Sequence, residues 1–181
     1  MAAAYDFADA RTVVDVGGGS GALLPAILQR HPELQGIVFD RLQLCRRRRR
    51  VACVAAGVAD RCRFVAGDFF ARVLDGAEVY LLKSVIHDWG DARAGAILRV
   101  CRAAMPRAAR LLLVEVVMPA RLGCSPLDQM IAGTDLNMLV MTGGRERTEA
   151  EYRALCADAA LRVARVIPSA TAFSLIEAVP A

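Results

Sequence analysis

Apolar residues along this chain fall into two alternating patterns: short runs dominated by Val, Ile and Leu, and longer stretches with helical spacing. The short runs predict strands over 12–16, 36–40, 62–66, 78–83, 110–116, 162–167 and 172–178. The longer stretches predict helices over 20–30, 43–57, 91–104, 126–141 and 148–159. Such alternation predicts an α/β fold with a doubly wound, mainly parallel seven-stranded sheet. The last two strands are joined by a short segment containing Pro168, too short for a helical crossover, so they are expected to pair antiparallel. A length of 181 residues without internal repeat or linker predicts one domain spanning 1–181.

The first strand, Val13-Val14-Asp15-Val16, runs into Gly17-Gly18-Gly19-Ser20-Gly21. Glycines there remove each Cβ where the chain must turn and a ligand must approach. Ser20 is a plausible N-cap for the helix that follows, with Pro25 in its first turn. The spacing Gly17-x-Gly19-x-Gly21 departs from the G-x-G-x-x-G of dinucleotide binders, which disfavours a nicotinamide dehydrogenase. It suits a ligand without phosphates, such as S-adenosylmethionine, though glycine-rich turns of this kind also arise for steric reasons alone.

Composition narrows the function classes. A hydrophobic fraction of 56% predicts a surface that a partner or further domain covers. No apolar run reaches 18 residues and no signal-like start is present, so the expectation is a soluble, cytoplasmic protein that does not enter a membrane. Cysteines 45, 53, 62, 101, 124 and 156 form no C-x-x-C pair, and no metal site is expected. The net charge of +4 rests on Arg46 to Arg50, which reads as a solvated, irregular helix start. Without interleaved aromatics it is not a nucleic-acid surface.

Charged residues at strand ends mark the candidate site, because doubly wound sheets bind ligands there. Asp40 ends the second strand, about 20 residues beyond the glycine loop, where an acid can hold ribose hydroxyls. Asp68 ends the third, where its carboxylate can accept from an adenine amino group while Phe69 lies on the ring; a helix-cap role is the alternative for either Asp. His87 follows the fourth strand within Lys83-Ser84-Val85-Ile86-His87-Asp88-Trp89, whereas His31, the other of the two histidines, sits at a helix end. Glu115, within Leu111-Leu112-Leu113-Val114-Glu115-Val116, needs a partner, and a histidine would be one. Glu146 is either a second carboxylate for that histidine or an exposed loop salt bridge with arginine; Thr148 and Glu151 form a capping box for the next helix.

Taken together, Val13–Gly21, Phe39-Asp40, Gly67-Asp68-Phe69-Phe70, Lys83 with His87-Asp88-Trp89, and Gly143-Gly144-Arg145-Glu146-Arg147 resemble the caffeic-acid-type O-methyltransferases, from about Tyr5 to the end. That resemblance implies a class I methyltransferase fold with S-adenosylmethionine as methyl donor. Gly17 and Gly19 would face its methionine portion, Asp40 its ribose, and Asp68, Phe69 and Trp89 its adenine, with Lys83 nearby. It further implies His87 as general base flanked by Glu115 and Glu146, with Asn137, Met138 and Met141 lining the pocket of a small-molecule acceptor, aromatic or polyketide-like. Family members are homodimers through an N-terminal helical domain, which the resemblance implies is missing here. The family's Leu-Pro after the ribose-binding Asp is replaced by Arg41-Leu42-Gln43-Leu44-Cys45. Two other outcomes stay open: a binding module that does not turn over, and a cofactor-assisted hydroxylase or decarboxylase on the same fold.

Overall fold

A computed structural model describes residues 4–41 and 51–181. Among the described residues, eight strands and five helices follow one another: β1 (Thr12–Val16), α1 (Leu24–Arg30), β2 (Gln35–Asp40), α2 (Val51–Ala55), β3 (Cys62–Ala66), β4 (Val79–Lys83), α3 (Asp91–Ala104), β5 (Arg110–Met118), α4 (Pro126–Met141), β6 (Arg147–Thr148), α5 (Glu149–Ala157), β7 (Leu161–Pro168) and β8 (Phe173–Pro180). A 3-10 turn, Ile86–Asp88, lies between β4 and α3. The sheet order is β3-β2-β1-β4-β5-β8-β7, with β6 paired to β5 off this path. All pairings among β1 to β6 are parallel, while β8 runs antiparallel to both β5 and β7.

Side-chain alternation along the strands divides the core in two. Val13, Val79, Leu81 and Leu112 pack with Leu24, Ile27 and Leu28 of α1 on one face. Val14, Val16, Tyr80, Leu82, Leu111 and Leu113 pack with Ile97 and Leu98 of α3 and Tyr152 and Leu155 of α5 on the other. Each fully buried aliphatic or aromatic side chain contributes about 1.5–3 kcal/mol, so these two layers fix the strand ends firmly. The winding of the sheet reverses between β1 and β4, so the crevice at their carboxyl ends is its switch point.

The predicted seven-stranded, mainly parallel sheet is present with one short strand added, and the start of the first helix is corrected. The first helix begins at Leu24, not residue 20, and Ser20 does not cap it. Gly17, Gly19 and Gly21 all have positive φ (72°, 55° and 71°), and a helix cannot form through them. The sheet has an eighth strand, because Arg147 and Thr148 pair with Val117 and Met118. The predicted helix 43–57 is seen as Val51–Ala55; its earlier part, with Cys45 and the run Arg46 to Arg50, lies outside the described residues. Helices α3 and α4 have the expected bounds, and Thr148 and Glu151 form the capping box at α5.

Helix α4 buries only Ile131, while Leu136, Leu139, Val140 and Met141 are exposed, the last two by 81% and 71%. A capping box between Ser125 and Asp128 supports its start, typically worth ~1 kcal/mol. A contiguous apolar surface of this kind favours association. The chain is therefore expected to self-associate as its concentration rises, and sedimentation showing one monomeric species throughout would count against this. No helix among the described residues is long and apolar enough to cross a membrane.

Candidate active site

The glycine loop closes one side of the crevice. Gly17 donates to the Phe39 carbonyl at 2.8 Å, continuing the ladder beyond β1. A Cβ on Gly17 would lie 2.7 Å from Val85 Cγ2, and one on Gly18 would lie 2.6 Å from Asp15 Oδ2. Bare backbone at these two positions thus lets the turn before His87 and the Asp15 carboxylate press against the loop. Among the described residues, nothing comes within 4 Å of a Cβ built on Gly19. Between loop and strand ends lies a cavity of about 430 Å³, lined by Asp15, Gly17, Gly18, Gly19, Leu23 and Lys83.

Two carboxylates are buried here. Asp40 accepts from Gly19 N at 2.7 Å and from Arg41 N at 2.6 Å, so it anchors the loop from the end of β2. Asp15 is 2% exposed. Burial, and then the neighbouring Asp40 charge, push its carboxyl up to about 7, while Lys83 acts in the opposite direction. Lys83 also lies 4.8 Å over the Phe173 ring. Asp68 is exposed, and its Oδ1 accepts from Phe70 N at 3.0 Å, the turn-capping arrangement. Phe69 is buried beside Gly17, and it is Phe70 that meets Trp89 edge-on at 4.9 Å. Arg93 lies over the Trp89 ring at 4.3 Å.

The second half of the site forms around His87. Ser84 leaves β4 with a positive φ of 53°, an unusual conformation outside glycine, and redirects the chain into the 3-10 turn. Glu115 Oε1 accepts from Val85 N at 3.1 Å and Ile86 N at 2.9 Å. Its Oε2 lies 3.4 Å from His87 Nδ1, and Glu146 Oε1 lies 3.1 Å from the same nitrogen. Glu146 is 1% exposed, so the surface salt-bridge alternative is overturned; Arg145 pairs with Glu151 instead. Burial works to lower the His87 pKa, but the Glu146 hydrogen bond and the charges of Glu115, Glu146 and Asp88 outweigh it and raise it. Burial raises Glu115, opposed by His87, and pushes Tyr152, beside the same two carboxylates, well above the usual phenol range.

This arrangement sets the tautomer. With both carboxylates at Nδ1, the proton belongs there, and Nε2 presents its lone pair away from the cluster. Asp88 Oδ1 lies 3.7 Å from Nε2, too far for a hydrogen bond. Ligand-type atoms of His87, Glu115 and Glu146 lie within 4.8 Å of one another, but a proton on Nδ1 leaves that nitrogen no lone pair for a cation.

A sequence model of the O-methyltransferase domain matches residues 1–162. The chain belongs to that family. The domain is 49% identical over 180 residues to the O-demethylpuromycin-O-methyltransferase of Streptomyces alboniger, covering 97% of this chain and 47% of that protein. It is 44% identical over 178 residues to the phenazine O-methyltransferase PhzM of Lysobacter antibioticus, covering 98% and 50%. The solved structure of LaPhzM superposes with a TM-score of 0.92 at 43% identity, over 99% of this chain and 52% of that one. NcsB1 from neocarzinostatin biosynthesis, solved with S-adenosyl-L-homocysteine and 1,4-dihydroxy-2-naphthoic acid, gives 0.84 at 38%, with the same coverage. The chain thus spans about half the length of the relatives it matches.

Not every predicted site residue of this O-methyltransferase domain meets the others. Gly17, Gly19, Asp40 and Lys83 gather at the loop cavity, and His87, Glu115 and Glu146 form one cluster. Asn137, Met138 and Met141 lie on α4, where Asn137 and Met141 are exposed. Sequence reasoning assigned no role to Asp15 and none to Arg147, which is 1% exposed. An acid amid valines just before the glycine run was the signal for Asp15; no local pattern marks Arg147.

Proposed function

We propose that this chain is the catalytic part of an S-adenosylmethionine-dependent O-methyltransferase that methylates a hydroxyl of a small aromatic or polyketide-like acceptor. The carrying observation is a buried His87 whose Nδ1 is held by two carboxylates, on a turn packed directly against the glycine loop. The donor follows from charge. Two buried carboxylates, Asp15 and Asp40, would repel a pyrophosphate but favour a ligand carrying an ammonium and a sulfonium. Substrates of this kind are also named for the similar puromycin, phenazine and naphthoate enzymes.

When bound, S-adenosylmethionine supplies a methyl group already activated on sulfur. The chain's residues then have two tasks. Gly17 and Gly19 bring backbone against the methionine portion, with Lys83 on that side; Asp40 holds the ribose; and Asp68, Phe69 and Trp89 border the adenine. Asn137, Met138 and Met141 form the acceptor side, and a covering domain over exposed α4 would close it. His87 Nε2 takes the acceptor's hydroxyl proton as the oxygen attacks the methyl carbon and the S–C bond breaks. A phenol titrates near ~10, so an imidazole raised by its carboxylates is a suitable base. Glu146 and Glu115 orient the ring and stabilise the imidazolium formed.

Calorimetry with S-adenosylmethionine, followed by mass spectrometry of phenolic and polyketide acceptors, tests this reading. A product gaining one methyl group supports it. Gain of oxygen or loss of carbon dioxide would point to the related chemistries, and binding without product to a module that does not turn over.

Glu146→Gln adds a pH test. Because the neutral imidazole is the active form, kcat/KM should rise with pH through the His87 pKa, above the ordinary ~6.5. Removing the Glu146 charge should move this acid limb to lower pH and reduce the plateau rate. An unmoved limb would separate Glu146 from His87.

A further inference from the structure

The 3-10 turn that carries His87 has little strength of its own. It is three residues long, has no side-chain cap, and its internal bonds, Asp88 N to Val85 O and Trp89 N to Ile86 O, measure 3.3 and 3.2 Å. Both ends are instead held by charged side chains from neighbouring strands. Glu115 receives the amides at its start. Arg147 serves its carbonyls: Nη1 donates to Ile86 O at 3.1 Å and Nη2 to Trp89 O at 2.7 Å. Nε and Nη2 of the same guanidinium reach Asp91 Oδ1 at 3.0 and 2.8 Å, tying in the first residue of α3.

The segment before Arg147 completes the grip. Arg145 N donates to His87 O at 2.9 Å, and a Cβ on Gly144 would collide with that carbonyl oxygen. Asp135 Oδ1 accepts from Glu146 N at 2.8 Å, and pairing of Arg147 with Val117 docks the segment on the end of β5, beyond Glu115. One short segment therefore fixes the backbone of residues 86–89 through Arg145 and Arg147 and the His87 ring through Glu146. A guanidinium is suited to this because its planar fork serves several oxygens at once and stays charged when buried.

We propose that Arg147 is a positioning residue for methyl transfer: it locks the 86–89 turn so that His87 Nδ1 stays on Glu146 and Nε2 stays aimed at the acceptor. The inference rests on the methyltransferase reading above. A base displaced by about 1 Å can cost on the order of 10²-fold in rate. Arg147→Gln should accordingly lower kcat by roughly 10–100-fold, with the KM for S-adenosylmethionine little changed. Asp91→Asn, which weakens the clamp without emptying a buried site, should give a smaller loss of the same kind and keeps the test open should Arg147→Gln fail to fold.

Two readouts separate positioning from general stability. In a His87→Ala background the Arg147→Gln and Asp91→Asn losses should vanish, because there is no base left to misplace; losses that multiply through unchanged would overturn the proposal. Independently of turnover, the two histidines of the chain allow NMR titration of His87 against His31 as internal reference. Its midpoint should fall in Arg147→Gln as the ring leaves Glu146. In Arg147→Gln, loss of a nearby cation alone would raise that midpoint, so a fall there reports displacement of the ring; Asp91→Asn removes an anion, which lowers the midpoint by itself, so that variant is judged by its rate loss and by the His87→Ala background. An unmoved or raised midpoint in folded Arg147→Gln refutes the clamp, as does an Asp91→Asn rate loss that persists without His87. Should His87→Ala itself leave the rate intact, the methyltransferase reading fails, and the titration still decides whether Arg147 positions the ring.

Discussion

His87→Ala is expected to cut methyl transfer by about 10²–10⁴-fold while leaving S-adenosylmethionine affinity nearly unchanged. The two ring nitrogens have separate tasks. Nδ1 is committed to Glu146 and Glu115, so only Nε2 can take a proton from the acceptor. None of these residues lines the glycine-loop cavity, so removing the ring leaves the donor pocket intact. The size of the defect should depend on the acceptor. A phenol already ionised at the assay pH needs no base and should react almost as well with the variant, whereas an ordinary phenol should lose the full factor. A graded series of phenol acidities, measured for both proteins, is the experiment. Equal losses across the series would remove His87 as base, and an increased dissociation constant for S-adenosylmethionine would move it into the donor site.

How far this site was legible follows from which interactions are local. Helix α3 was readable to its bounds because its apolar positions keep one period from Asp91 to Ala104. Asp40, Glu115 and His87 were readable because each stands at or near a strand end or interrupts an apolar run. The burial of Glu146 was not, because it depends on Arg147 and Thr148 adding a two-residue strand to β5, a pairing too short to leave a period. Arg147 itself reads as a surface charge, since arginine is rarely buried unless paired. Its oxygen partners Ile86, Trp89 and Asp91 lie between 56 and 61 residues away. The start of α1 was misplaced for a different reason: Ser20 is a good cap by composition, but three glycines with positive φ hold the chain out of helix until Leu24.

Asp15→Asn should make the ligand-free protein more stable and a poorer binder, with both effects set by pH. The folded-state pKa of Asp15 is raised from 3.8 to about 7, chiefly by burial. A group raised in this way holds its proton in the fold but loses it in the unfolded chain, so stability is fully present below about 4 and declines as pH rises toward 7. At ~1.4 kcal/mol per pH unit, the rise from 3.8 to about 7 amounts to roughly 4 kcal/mol against the ionised carboxylate above pH 7. Asparagine, which never ionises, avoids that cost. Denaturant titrations of the ligand-free variant should match the wild type near pH 4 and exceed it by up to about 4 kcal/mol at pH 8. Binding should change the other way. The ionised carboxylate is what a cationic donor recognises, so loss of a charge-assisted contact should weaken S-adenosylmethionine by about 1.5–3 kcal/mol above pH 7. Wild-type affinity should itself fall as pH drops below about 7 and Asp15 takes up its proton, whereas that of Asp15→Asn should stay flat over the same range. Instability would then be held at this position because the charge that strains the empty fold is the one that binds the donor. Unchanged affinity in Asp15→Asn would show that the carboxylate faces the glycine loop alone.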